Sequence, residues 1–275
     1  MHASLASSPR FPASVVNLAS VPALAATLIC SFPAFAQEPP GAEQSSSKWG
    51  LGIGVGSKQL PYAGMKPDNE VLPLVEFENK YVHVLGPALE VKLPSLVISD
   101  TQRLNFRMVG RYAIFGGYEA DDSPILAGMS ERKDGFWAGA KVEWKNSFVN
   151  VGALWIHDVS GNSKGQRFGL GLDRNFRLGK QVMIIPRVAA IWQDRKYNDY
   201  YFGVRDSEAR PGRAAYQADA GVNYEVGLRS MYLIDRHHSV MMDVSATSLS
   251  SAVKDSPLVD RSSENRILLA YVYRF

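Results

Sequence analysis

Residues 264–275 read Glu-Asn-Arg-Ile-Leu-Leu-Ala-Tyr-Val-Tyr-Arg-Phe. Counting back from Phe275, the alternate positions Tyr273, Tyr271, Leu269 and Ile267 are bulky and apolar or aromatic. Arg274, Ala270 and Arg266 fall between them. A period of two is the signature of a strand with one greasy face and one tolerant face. Two settings suit such a strand: the edge of a soluble sandwich, or a sheet whose apolar face meets lipid. In hydrocarbon every backbone N–H and C=O has to be paired, so the second setting requires the sheet to close on itself. It also requires many more strands of the same kind.

The chain supplies them. Trp49, Leu51, Ile53 and Val55 alternate with Gly50, Gly52, Gly54 and Gly56. Four alternating glycines weaken an ordinary strand but make room inside a narrow barrel. Further alternating or strand-like stretches are expected at 70–78, 81–85, 89–93, 104–112, 136–144, 149–155, 168–172, 181–193, 216–234 and 240–246. With 49–56 and 264–275 these make twelve, in a closed antiparallel transmembrane β-barrel, an all-β fold over residues 48–275. The break at Gly86-Pro87 rests on proline's missing N–H; without it the count becomes odd, and ten or fourteen are the alternatives. Pro186 lies within the 181–193 stretch, where a bulge is expected. Turns near 79, 100, 146, 178 and 236 are short and loops near 60, 125, 162, 205 and 257 longer, the asymmetry of an outer-membrane barrel.

The amino terminus agrees. Residues 1–36 have Arg10 after a polar start, a mostly apolar run from Val15 to Phe35, and a small-x-small site at Ala34-Phe35-Ala36, as a secretory signal requires. The one cysteine, Cys30, lies inside it, so the mature chain is expected to lack thiols and disulfides. Residues 37–47 have no periodicity and read as a flexible leader. Removing the signal subtracts one positive charge from a net +3, and the near-neutral remainder gives no electrostatic case for nucleic acid. No later run is apolar and long enough for a spanning helix. The mean hydropathy of −0.13 cannot exclude a barrel, which averages a lipid face with a polar lumen.

The aromatic carboxy terminus, with Phe275, Tyr273 and Tyr271 in alternation, resembles the closing strand by which outer-membrane barrels are assembled, which implies the barrel-assembly machinery as a partner. Residues 192–221 carry a more specific resemblance. Lys196-Tyr197-Asn198-Asp199-Tyr200-Tyr201-Phe202-Gly203-Val204, followed by Glu208-Ala209 and Tyr216, resembles the MipA/OmpV family of outer-membrane proteins. Gly50 to Gly54, Val71-Leu72-Pro73, Leu126 to Met129, Asp255 to Val259 and Tyr271 to Phe275 agree with it. The resemblance implies location in the outer membrane, among phospholipid and lipopolysaccharide. It also implies a non-enzymatic scaffold, whose described partners in the family are a lytic transglycosylase and a penicillin-binding synthase. Other members are linked to adhesion or solute entry, so a channel or transporter is the alternative.

Chemistry finds little support. His157 and Asp158 are neighbours in an expected strand and point to opposite faces. His237 and His238 lie in a short turn, where a solvated turn is the simpler reading than a weak metal site. His83 has no partner at a readable spacing. No nucleophile elbow, zinc spacing or phosphate loop is present, and no cofactor is expected. Tyr197, Tyr200, Tyr201 and Phe202 either offer a stacking surface to a partner or pack their loop over the barrel mouth. The Arg205–Arg213 run reads as a solvated mixed-charge loop. On the inward face, alternation places Glu76, Glu90, Glu143, Asp173, Asp219, Glu225 and Asp243 against Lys92, Arg107, Arg111, Lys141, Arg187, Arg229 and Arg266. Equal numbers of each sign predict a cross-linked lumen rather than a selective bore.

Overall fold

The computed structural model describes residues 47–113 and 117–275. The signal segment, and the leader apart from its last residue, lie outside these residues. Fourteen strands are present among the described residues: β1 (Lys48–Gln59), β2 (Asp68–Glu78), β3 (Val82–Leu85), β4 (Ala88–Lys92), β5 (Leu96–Ser99), β6 (Gln102–Tyr112) and β7 (Phe136–Lys145) in the first half. β8 (Asn150–Asp158), β9 (Gln166–Asp173), β10 (Phe176–Leu178), β11 (Val182–Gln193), β12 (Gly221–Leu233), β13 (His238–Ser248) and β14 (Ser263–Arg274) complete the second. Twelve of them form a closed antiparallel ring in the order β1, β2, β3, β4, β6, β7, β8, β9, β11, β12, β13, β14 and back to β1. The terminal strand does close the sheet: Leu51 lies opposite Tyr273 and Ile53 opposite Tyr271.

The two strands outside the ring have a common origin in proline. β5 continues β4 past Pro94 and pairs only with β6. β10 continues β9 and pairs with β11 in the same register that β9 keeps. The break between β9 and β10 falls opposite Pro186, which accepts a bond from the Arg174 N–H but cannot return one. The expected bulge at Pro186 is therefore absent: β11 stays in continuous register with β12 through Pro186, and the neighbouring strand is interrupted instead.

The Gly86-Pro87 break is a tight hairpin turn, with Leu85 opposite Ala88 and Gly86 at φ +55°. This hairpin is short. β3 pairs with β2 only at Glu76, Phe77 and Glu78, and the Gly86 N–H adds one bond to the Val75 carbonyl. Alternate residues of an antiparallel strand direct both backbone groups to the same neighbour, so Pro73 has its missing N–H on the side where β3 has already ended.

Alternation sorts the faces as expected. Ile53, Val55, Val71, Leu89, Val188, Val226 and Leu269 are exposed on the outside, where lipid meets the wall. Inside β1 the glycine face is crossed by its neighbours' side chains. An added Cβ on Gly54 would lie 3.4 Å from Leu268 and from Leu74. Leu72, Leu74, Leu268, Ala270 and Val272 form a buried apolar cluster there. Aromatic residues ring the end with short turns: Trp49 lies against Phe77 at 4.5 Å between centroids, and Tyr273 against Phe275 at 5.1 Å. Such a girdle marks the periplasmic interface.

Candidate functional site

Four long connections converge at the outer mouth. Buried Leu60 and Tyr62 from the β1–β2 loop, Leu126 and Met129 from β6–β7, Tyr201 and Phe202 from β11–β12, and Val253 and Leu258 from β13–β14 form one apolar cluster. The barrel is thus capped by a small core of its own. The stretch expected to be a strand from Tyr216 begins only at Gly221, and residues 216–220 belong to this cap. Tyr216 instead forms a two-way backbone bridge with Val204.

The family-type motif lies at the centre of the cap, on a helix that alternation could not show. α1 (Arg195–Phe202) starts at Asp194, whose carboxylate accepts the Tyr197 N–H at 2.8 Å. Asn198, Tyr201 and Phe202 recur at helical spacing and form its buried side, with exposures of 0%, 3% and 6%. Tyr197 packs edge-on to Trp137 of the barrel wall. The Asn198 amide donates to the Asp219 carbonyl at 2.7 Å, and Asp199 accepts the Ala218 N–H at 3.2 Å. Tyr200 Oη accepts from the Lys133 N–H at 2.8 Å. The Tyr201 carbonyl accepts from Tyr62 Oη at 3.1 Å, and that of Phe202 from Ser256 Oγ at 2.6 Å. At Gly203 a side chain would run into the Asp199 carbonyl. Each motif residue from Tyr197 to Val204 is thus part of the cap's framework, and Asn198, Tyr201, Phe202, Gly203 and Val204 are buried.

Two arginines tie the loops together. Arg132 makes a bidentate pair with Glu208 at 3.1 and 2.8 Å and donates to the Tyr200 carbonyl at 2.7 Å. Arg213 donates to the carbonyls of Glu208 and Ala127. The Glu208 carboxylate also accepts the Ser130 and Arg205 N–H groups. Burial alone would raise its pKa, but the Arg132 guanidinium and these amides hold it down at about 2. The solvated-loop reading of 205–213 is corrected here: Glu208 and Arg213 are buried at 4% and 2% exposure, because the loop's backbone carbonyls need donors that only a folded-in arginine supplies.

Below the cap, charged side chains cross the lumen. Asp243 takes a bidentate pair from Arg187 at 3.0 Å, a bond from Arg229 at 2.8 Å and one from Arg266 at 3.0 Å. Arg187 also reaches Glu225 at 3.2 Å. Across the barrel Arg107 bonds Glu90, and Glu143 lies within 4.0 Å of Arg107, Lys141 and Lys145. Glu78 accepts from Lys92 and meets His83, and Asp173 accepts from Asn150. Arg111 is half-buried. Glu76 pairs with Arg274 at 3.0 Å, a partner that shares the inward parity of Arg266. Asp219 is the exception among the expected inward charges. It lies in the cap, exposed and paired with Arg195 at 2.9 Å, because β12 starts after it.

Asp158 holds its loop rather than orienting His157. Both Asp158 oxygens are occupied by the N–H and hydroxyl groups of Ser160 and Ser163 and the N–H groups of Gly161 and Lys164. Among the described residues no group of three or more His, Cys, Asp or Glu could hold a metal ion.

Residues 51–275 match the family described as MltA-interacting protein MipA. The outer membrane protein YiaT of Escherichia coli O157:H7 is 25% identical over 238 residues, 85% of this chain and 94% of that protein. OmpV of Vibrio cholerae serotype O1 is 27% identical over 188 residues, 64% of this chain and 73% of its own length. The MltA-interacting protein of Escherichia coli K12 is 24% identical over 238 residues, 86% and 93% of the two chains. With a closed barrel, a lipid-facing belt and a match that runs to the closing strand, this outer-membrane chain belongs to the MltA-interacting protein (MipA) family.

Proposed function

We propose that this barrel is a non-enzymatic scaffold. The observation that carries the reading is the ion-paired lumen beneath a packed cap: a cylinder closed in this way offers partners a fixed surface and solutes little path. Removing one member of a buried, bonded charge pair costs about 3–5 kcal/mol, so the pairs resist spontaneous opening. Its partners, by family, are peptidoglycan-remodelling enzymes, a lytic transglycosylase and a penicillin-binding synthase. The motif Tyr197–Val204 serves recognition by holding the cap's outward surface in one shape. Tyr271, Tyr273 and Phe275 present the closing strand to the barrel-assembly machinery, and lipopolysaccharide surrounds the outer half of the wall.

Crosslinking in intact cells at native expression, followed by identification of captured proteins, tests the reading. A cell-wall enzyme should be recovered. Recovery of none, together with a stable porin-like conductance of the purified protein in planar bilayers, would make a channel the better account.

A further inference from the structure

Exposed cations lie at both ends of the barrel. On the cap, three exposed cations have acids beside them: Lys133 lies 3.7 Å from Glu131, Arg195 2.9 Å from Asp219 and Arg205 3.8 Å from Glu208. At the periplasmic end, Arg174, Arg177 and Lys180 cluster at the β9–β11 end and Arg236 in the β12–β13 turn, all exposed. The two connections are adjacent, since the Leu233 N–H donates to the Gln181 carbonyl at 2.8 Å and the Gln181 amide to Ile234. Arg174, Lys180 and Arg236 have no carboxylate within 4.0 Å among the described residues. Two acids lie nearby. Asp235 already accepts the His237 and His238 N–H groups at 2.8 Å, and Asp173 faces inward to Asn150.

The same sector is apolar on its outer side. Phe176, Leu178, Tyr232 and Ile234 are exposed there, and the Arg174 guanidinium lies 5.2 Å over the Phe176 ring. Aromatic belts sit at headgroup depth, and long cationic side chains beside them reach the phosphate layer. We infer that this sector is a binding site for the phosphate of an anionic phospholipid in the periplasmic leaflet. Its acyl chains would lie along Leu178 and Ile234, continuous with the lipid-facing wall, and its phosphate would meet Arg174, Lys180 and Arg236. The inference does not depend on the scaffold reading.

A near-surface cation contributes about 1 kcal/mol toward anionic lipid, or about fivefold per residue. The full chain, purified in detergent with equal phosphatidylglycerol and phosphatidylcholine, should retain the former at least about fivefold over the latter in native mass spectrometry. The triple variant Arg174→Gln, Lys180→Gln, Arg236→Gln should bring retention close to parity. A cap triple, Lys133→Gln, Arg195→Gln, Arg205→Gln, should keep the preference. Heat-modifiable gel mobility would confirm that each barrel is folded. If the triple fails to fold, Lys180→Gln alone and a salt titration of the native chain replace it, and the preference should fall in both. Equal retention of the two lipids by the native chain, or an equal loss in the cap triple, overturns the site. So does a triple that keeps its lipid preference but loses binding to isolated cell-wall sacculi, which would assign the cations to an anionic polymer.

Discussion

Asp243 is one carboxylate among three guanidinium groups, at 1% exposure. Asp243→Asn would leave Arg187, Arg229 and Arg266 with Glu225 as the one remaining acid of that cluster, and should lower stability by about 3–5 kcal/mol, read as a shift in the urea midpoint of the detergent-folded barrel. Glu208 provides a pH test in the cap. Its folded carboxyl titrates at about 2, below the ordinary value of 4.5, so its contribution is complete above that ordinary value and is lost as pH falls toward about 2. Amide exchange of the outer loops should be flat from neutral pH to about 5, once corrected for intrinsic rates, and accelerate below about 4. Glu208→Gln should exchange faster at neutral pH and lack that acid transition. The lumen charges were legible because a strand's parity dictates its faces. Arg132 and Glu208 were not, since 76 residues separate them and nothing periodic links two loops.

At the scale of elements, what the alternation could reach was strand number and order, including the Gly86-Pro87 turn. It missed β5, where Leu96, Val97 and Ile98 are all exposed and so show no period, and α1, whose tyrosines are equally at home in a girdle or a helix. Glycine offers the sharper test of the wall. A side chain at Gly52 would run into the Tyr271 carbonyl of β14, whereas nothing lies within 4 Å of a Cβ at Gly110. Gly52→Val should therefore destabilise by about 1–3 kcal/mol. Gly110→Ala should be neutral or stabilising by up to about 1 kcal/mol, with both read from thermal gel-shift midpoints.

For the whole molecule, the scaffold reading places two barriers in series between the outside and the periplasm: the cap core and the lumen pairs. Removing one should not open the other. Replacing residues 196–217 by a short Gly-Ser link should leave bilayer conductance low, because Arg187, Arg229, Arg266 and Asp243 still cross the bore. Adding Arg187→Ala and Asp243→Ala to that deletion should produce measurable open levels. A large conductance from the cap deletion alone would show that the lumen pairs do not occlude.

The ten residue pairs that join β1 to β14 contrast with the three that join β2 to β3. A cylinder sewn so unevenly has a built-in tear line, and it is not the seam where the two ends of the chain meet. Pulled or heated, the wall should part first beside Pro73, leaving the terminal strands stitched together until last.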